Sequence, residues 1–188
     1  MNLLHSVYCR SSHWTHEVDR LLSRAAADVA LGDHLLEIGA GRGAMTPRLI
    51  ARVPRVTVVD LDDVALAAVR QRVGDRASLV RGDATSLPFA TGVFSAAAVF
   101  AMLHHVPAAA QQDAVLREIA RTLRPGGTLI GAEAPSSLLL HVFHIGDTFV
   151  PLPPETLDAR LRAAGFEDVR IQTWSRYVLF GGKKPRRF

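Results

Sequence analysis

Between residues 34 and 134 this chain alternates short apolar runs with longer stretches of helical period, and each of the first three runs leads within two residues to a glycine or an acid. A parallel sheet demands such alternation, because each strand must be carried back to the same edge by a crossover helix. The runs fall at 34–38, 56–59, 77–80, 93–101 and 128–134. Stretch 93–101 is apolar on both faces, as suits a strand covered by helices on both sides. Residues 13–30 place Trp14, Val18, Leu21, Leu22, Ala25 and Val29 at helical spacing and stop at Gly32, a residue suited to a helix end. Thr46 and Pro47 offer a hydroxyl cap and a proline at the first helical position. Asp62 can cap a helix through Val64, Leu66, Ala68 and Val69 that ends at Gly74.

Downstream, Pro107 opens a helix with Val115, Leu116, Ile119 and Leu123 on one face, stopped by Arg124-Pro-Gly-Gly127. A further helix, 155–164, lies between Pro154 and Gly165. The runs 169–174 and 177–180 are separated only by Ser175 and Arg176, so they must pair antiparallel. The pattern predicts an α/β fold: a Rossmann-like open, mostly parallel seven-stranded sheet with helices on both faces and an antiparallel last strand.

The 188 residues suit one core. A single domain is expected, with a helical lid at 1–33, a ligand-binding half at 34–134, a covering segment at 135–154, and a C-terminal helix and hairpin at 155–188. No run approaches the ~18 apolar residues of a membrane helix, and residues 1–10 lack the pattern of a secretory signal. The lone cysteine, Cys9, cannot form an intrachain disulfide, and a cytoplasmic protein is expected. Net charge is +4. Part of it sits after Asp168, where Arg170, Arg176, Lys183, Lys184, Arg186 and Arg187 meet no acid, as in a solvated, frayed terminus.

Ligands of open α/β sheets bind beyond the carboxyl ends of the strands, so the residues that end each strand are the candidates. The first run closes with Glu37-Ile-Gly39-Ala-Gly41-Arg-Gly43, where alternate glycines allow a tight turn with backbone open to a bulky ligand. The second closes with Asp60, whose carboxylate can accept from both hydroxyls of a ribose. The third leads into Gly82-Asp83-Ala84-Thr-Ser-Leu87-Pro-Phe89. On these residues alone a nicotinamide-dinucleotide site remains open, although its third glycine position is here Ala44.

The stretch Leu36 to Gly43 resembles motif I of the class I S-adenosylmethionine-dependent methyltransferases, and 81–89 is similar to their GDA-x-x-LPF segment. Phe94 to Val106, with its Leu103-His-His105 turn, resembles the fourth-strand segment of methyltransferase type 11 domains. Leu123-Arg-Pro-Gly-Gly127 is similar to the turn before their fifth strand. The likeness covers about 35–133 and implies S-adenosyl-L-methionine as cofactor and S-adenosyl-L-homocysteine as product. It implies a cofactor site of Glu37, Gly39, Ala40, Gly41, Gly43, Asp60, Leu61, Asp83, Ala84, Phe100 and Ala101, with Asp83 at the adenine amino group. The family's fourth strand usually opens Phe-Asp; here Ser95 replaces the carboxylate.

Methyl transfer from a sulfonium needs mainly in-line alignment and exclusion of water. A protein base is required only if the acceptor must lose a proton. His105 and then His104, at the end of the fourth strand, are the candidates, followed by His141 and His144. The covering segment, with Leu138, Leu139, Leu140, Val142, Phe143, Ile145, Phe149 and Val150, is expected to line a pocket for a small, apolar or lipid-like acceptor or to touch a membrane surface. Trp14 is expected to pack the first helix against the lid of the site. No metal centre is expected, since His5, Cys9, His13 and His16 lack an acid or second ligand pair at a recognisable spacing. A nucleic-acid substrate is not expected: Phe100-Ala-Met-Leu103 stands where base amino-methyltransferases carry an Asn/Asp-Pro-Pro-Tyr-like turn. The other classes in view are an NAD(P)-dependent oxidoreductase and a non-catalytic S-adenosylmethionine-binding protein. Nothing in the chain indicates an oligomeric state.

Overall fold

The computed structural model describes residues 12–186. Helix α1 (Ser12–Ala25) leads into β1 (His34–Ile38), α2 (Thr46–Ile50), β2 (Arg55–Asp60), α3 (Asp63–Val73) and β3 (Ser78–Arg81). After β3 come β4 (Phe94–Phe100), a 3₁₀ turn (Leu103–His105), α4 (Ala109–Thr122) and β5 (Leu123–Glu133). A short helix α5 (Leu138–Phe143), α6 (Pro154–Ala163) and the hairpin β6 (Glu167–Trp174) and β7 (Tyr177–Lys183) complete the chain.

The seven strands form one sheet in the order β3-β2-β1-β4-β5-β7-β6. The first five strands of that order, β3, β2, β1, β4 and β5, run parallel, and β7 is inserted antiparallel between β5 and β6. The parallel dinucleotide fold with six strands ends 4-5-6 without such an insertion. The order reverses between β1 and β4, which makes their carboxyl ends the expected crevice.

Alternation along each strand divides the core into two layers. Leu35, Val56, Val58, Ala96 and Ala98 face α1, α2 and α3 through Val18, Leu22, Leu49, Val69 and Val73. Leu36, Ile38, Ala97 and Val99 face α4 and α6 through Val115, Leu116, Ile119, Leu157 and Leu161. Each fully buried Val, Leu or Ile among them contributes on the order of 1.5–3 kcal/mol. Helices therefore cover both faces, as the periodicity implies.

Several boundaries differ from the sequence reading. Helix α1 stops at Ala25 rather than 30, and Asp28 takes a positive φ of 59° before Gly32. Asp62 does cap α3, accepting from the Val64 N–H at 2.8 Å. Thr46 does not cap α2: the cap position is Met45, with no side-chain bond, and Thr46 is a buried residue inside the helix. Strand β5 begins at Leu123, which pairs with Phe94, so Arg124-Pro-Gly-Gly127 is an irregular, bulged stretch inside the strand, with Gly126 at a φ of 76°, rather than a free stop.

Ser95 opens β4 at the edge opposite the crevice. Its hydroxyl lies 2.8 Å from the Leu31 carbonyl and 2.9 Å from that of His34, and accepts from the His34 N–H at 2.9 Å. It stitches the entrance of β1, at the opposite end of that strand from the glycine turn. The basic run after Asp168 is docked rather than frayed as far as Lys184, whose ammonium donates to the Arg121 and Leu123 carbonyls at 3.2 and 2.7 Å. Arg187 lies outside the described residues, as do His5, Cys9 and the lid before residue 12, and nothing is described of the His13 side chain. No helix among the described residues is long and apolar enough to cross a membrane.

Candidate active site

The tip of β1 turns through two left-handed glycines, Gly39 (φ 69°) and Gly41 (φ 53°). Gly39 is required sterically: a Cβ there would stand 2.1 Å from Met102 Cγ, whereas one on Gly41 would meet nothing within 4 Å. The Gly41 N–H donates to Asp60 Oδ2 at 3.2 Å, and the Asp62 N–H to Asp60 Oδ1 at 3.0 Å. Burial raises the Asp60 carboxyl above its usual range, against the opposing pull of these amides.

Glu37, two residues before the turn, is 4% exposed. Burial pushes its carboxyl up to about 7, the nearby Thr46 hydroxyl pulling against it and the Asp60 charge adding to it. Its Oε2 has no hydrogen-bond partner among the described residues. A buried oxygen in that state calls for a donor from a ligand.

Beyond β3, Asp83 Oδ1 accepts from the Thr85 N–H and hydroxyl, both at 2.8 Å. The loop that carries it is fastened to α4: the Leu87 N–H donates to Glu118 at 2.8 Å, and Arg121 donates to the Leu87 and Phe89 carbonyls at 3.0 and 2.7 Å. Leu87 is buried beneath. The Leu-Pro-Phe run thus holds Asp83 and Ala84 in place.

At the tip of β4, Ala101 adopts a φ of 49°, a conformation that costs a non-glycine residue roughly 1–2 kcal/mol. The turn after it is held by Glu133, the last residue of β5. One carboxylate oxygen accepts from the Met102 and Leu103 N–H groups at 2.9 and 2.7 Å; the other lies 2.5 Å from His104 Nδ1. His105 Nδ1 lies 3.2 Å from the Thr148 carbonyl, and His144 Nδ1 lies 2.8 Å from that of Leu140. Burial lowers the basicity of His144. Gln112, fully buried, donates to the Leu103 and Val150 carbonyls at 3.1 and 2.8 Å and so joins the turn to the covering segment.

These strand tips share one cavity of about 840 Å³. Glu37, Gly39, Ala40, Gly41, Asp60, Leu61, Asp83, Ala84, Phe100, Ala101, His104 and His105 all line it. Gly43 lies outside this lining: its φ of 71° turns it against α3, where a Cβ would meet Val69 at 3.1 Å. Trp14, expected to pack against the lid, lines the cavity from α1. Leu140 and His144 line it from the covering segment, whereas His141 does not and is exposed.

Met102, Tyr177 and Glu133 escaped the sequence reading. For Glu133 a signal was present, since an acid ends a buried strand there just as Asp60 does. Tyr177 and Met102 carry no comparable local mark.

The residues fit an adenosyl ligand with an ammonium group: an unsatisfied buried carboxylate, an open glycine backbone and two carboxylates at adjacent strand tips. Sheet order and strand tips therefore define the class, a Rossmann-like methyltransferase domain rather than a dinucleotide-binding one. A family model described as "Methyltransferase domain" matches residues 36–131, half of the chain, and the chain belongs to this family of S-adenosyl-L-methionine-dependent methyltransferases.

Over 114 residues it is 36% identical to the demethylmenaquinone methyltransferase of Mycobacterium marinum, a match covering 61% of this chain and 47% of that one. The chain thus spans about half the length of the mycobacterial relative. It is 30% identical to the demethylmenaquinone methyltransferase of Clavibacter sepedonicus, covering 87% of this chain and 78% of that one. A solved structure, the N-methyltransferase NodS of Bradyrhizobium japonicum in complex with S-adenosyl-L-homocysteine, has the same fold with a TM-score of 0.72 at 21% identity, over 94% of this chain and 89% of that one.

Proposed function

We propose that this protein transfers the methyl group of S-adenosyl-L-methionine to a small, largely apolar acceptor that enters beneath the covering segment. The observation that carries the reading is the single cavity joining Gly41, Asp60 and Asp83 to Trp14, Leu140 and His105. Its volume of about 840 Å³ lies towards the upper end of the ~300–1,000 Å³ of small-molecule sites and suits two ligands side by side. A cavity continuing past the strand tips also favours turnover over cofactor binding alone.

The bound cofactor supplies a methyl carbon already activated by the sulfonium charge. Asp60 holds the ribose hydroxyls, Asp83 and Ala84 meet the adenine, and the Glu37 carboxylate balances positive charge beside the glycine turn. The apolar wall excludes water and fixes the acceptor in line with the methyl. For an acceptor that must lose a proton, His105 is the base: its Nδ1 lies beside a carbonyl that can only accept, so its lone pair is on Nε2. His104, held by Glu133, orients the turn.

The names of the two curated relatives favour a quinone lipid of the demethylmenaquinone type as the first acceptor to test. Isothermal titration with S-adenosyl-L-methionine and S-adenosyl-L-homocysteine should give one site per chain. Absence of binding at millimolar cofactor would sink the reading. With binding established, methyl transfer from labelled cofactor to demethylmenaquinone and to water-soluble phenols and amines identifies the acceptor class; transfer only to the polar compounds would overturn the apolar assignment.

A further inference from the structure

Three imidazoles converge at the covered end of the cavity. His104 and His105 sit on the turn after β4, and His144 follows α5, so the cluster joins two segments distant in sequence. One ring nitrogen of each lies within 4.8 Å of one ring nitrogen of each of the others. In all three rings Nδ1 already faces an oxygen: the Glu133 carboxylate at 2.5 Å, the Thr148 carbonyl at 3.2 Å and the Leu140 carbonyl at 2.8 Å. A neutral imidazole that donates through Nδ1 keeps its lone pair on Nε2. Metal-binding histidines show this same division, one nitrogen to a carboxylate or carbonyl and the other to the ion.

We propose that His104, His105 and His144 form a binding site for a divalent transition-metal ion of the zinc type, open towards the acceptor end of the cavity. Three imidazoles without a carboxylate ligand suit zinc and its neighbours and not magnesium or calcium, which take oxygen ligands. Zinc imposes no geometry of its own, and three protein ligands with an open fourth position is its usual reactive arrangement. Nitrogens around a tetrahedral zinc stand about 3.3 Å apart, given bonds of ~2.0–2.1 Å, so side-chain torsions must draw the cluster together modestly. Glu133, 2% exposed, sets a carboxylate behind His104 and lowers the cost of a cation there. Aromatic packing against Phe149, which His144 stacks on at 4.5 Å, accounts for the closeness of the rings. It does not require every Nδ1 to face an acceptor.

This site goes beyond the methyl-transfer reading and does not rest on it. Its consequence for that reading is definite: the same nitrogens cannot hold an ion and take a proton. An occupied site replaces His105 as the group that handles the acceptor's proton, because a metal-bound hydroxyl ionises at lower pH.

Cobalt(II) titrated into tag-free, chelator-treated full-length protein provides the test. The expected result is one saturable site with the intense visible bands of a four-coordinate ion, displaced by zinc. Binding should weaken more than about tenfold in His144→Ala and stay unchanged in His141→Ala, which alters an exposed ring outside the cluster. Absence of the bands, or bands that survive His144→Ala, overturns the proposal. Should that variant not fold, X-ray absorption at the zinc edge of the wild-type protein decides. Three imidazoles and one further nitrogen or oxygen ligand support the site; sulfur ligation or fewer than three imidazoles refutes it.

Discussion

The backbone N–H of Gly41 donates to the carboxylate of Asp60 across 3.2 Å, tying the tip of β1 to the tip of β2. The same carboxylate takes the Asp62 N–H, so Asp60 shapes the floor of the crevice before any ligand arrives. Asp60→Ala removes the acceptor of the Gly41 and Asp62 amides and, on the proposed function, that of the cofactor ribose. Affinity for S-adenosyl-L-homocysteine, measured by titration calorimetry, should fall by about 1–3 kcal/mol, roughly 5- to 150-fold in Kd. An unchanged Kd would mean that the sugar sits elsewhere.

Gly39 and Gly41 share a backbone conformation but not a neighbourhood. An added methyl strikes Met102 at the first and enters open space at the second. Gly39→Ala should therefore lower stability by more than the ~1–2 kcal/mol of positive-φ strain alone, whereas Gly41→Ala should stay near that strain and weaken cofactor binding. Thermal melts alongside calorimetry separate the two. Equal destabilisation by both substitutions counts against the placement of Met102.

Glu37 gives a pH signature. Its carboxyl is raised from 4.5 to about 7 by burial, so the folded protein holds this proton more tightly than the unfolded chain. Its contribution to stability is full below about pH 4.5 and is lost as pH rises through about 7. The stability of the wild type relative to Glu37→Gln should fall by on the order of 3 kcal/mol across that window, without cofactor. Urea unfolding of both proteins at several pH values measures it, and a flat difference contradicts the burial of this acid.

Glu133 supports the turn that carries His104 and His105. Glu133→Ala leaves the Met102 and Leu103 amides and His104 without their acceptor, each a penalty of ~1–3 kcal/mol. Glu133→Gln keeps an acceptor for the amides but changes the partner of His104 Nδ1. It should fold with a small loss, and it should lower kcat more than it raises KM. A variant with wild-type kcat and pH profile would assign Glu133 a purely structural part.

Much of the site was legible because its parts are local. Period-two and helical patterns set the strands and helices, and in a parallel sheet the residues closing each strand must reach the same edge. Glu37, Gly39, Gly41, Asp60 and Asp83 could thus be named in advance, together with His104 and His105 on the turn beyond β4. Recognition of the motifs supplied the adenosyl ligand, which periodicity alone left open against a dinucleotide.

What the chain alone left undecided depends on partners far apart in sequence. Whether Gly43 lines the crevice or packs on α3 is decided by Val69; what Ser95 does in place of the family's carboxylate is decided by Leu31 and His34. Glu133 meets His104, and His144 meets both neighbouring histidines, only after β5 and the covering segment have closed over β4. Local pattern fixes which edge a residue reaches, because strand direction follows from chain connectivity. Contact between side chains on different loops is set by how those loops close and pack, and only the folded molecule decides that.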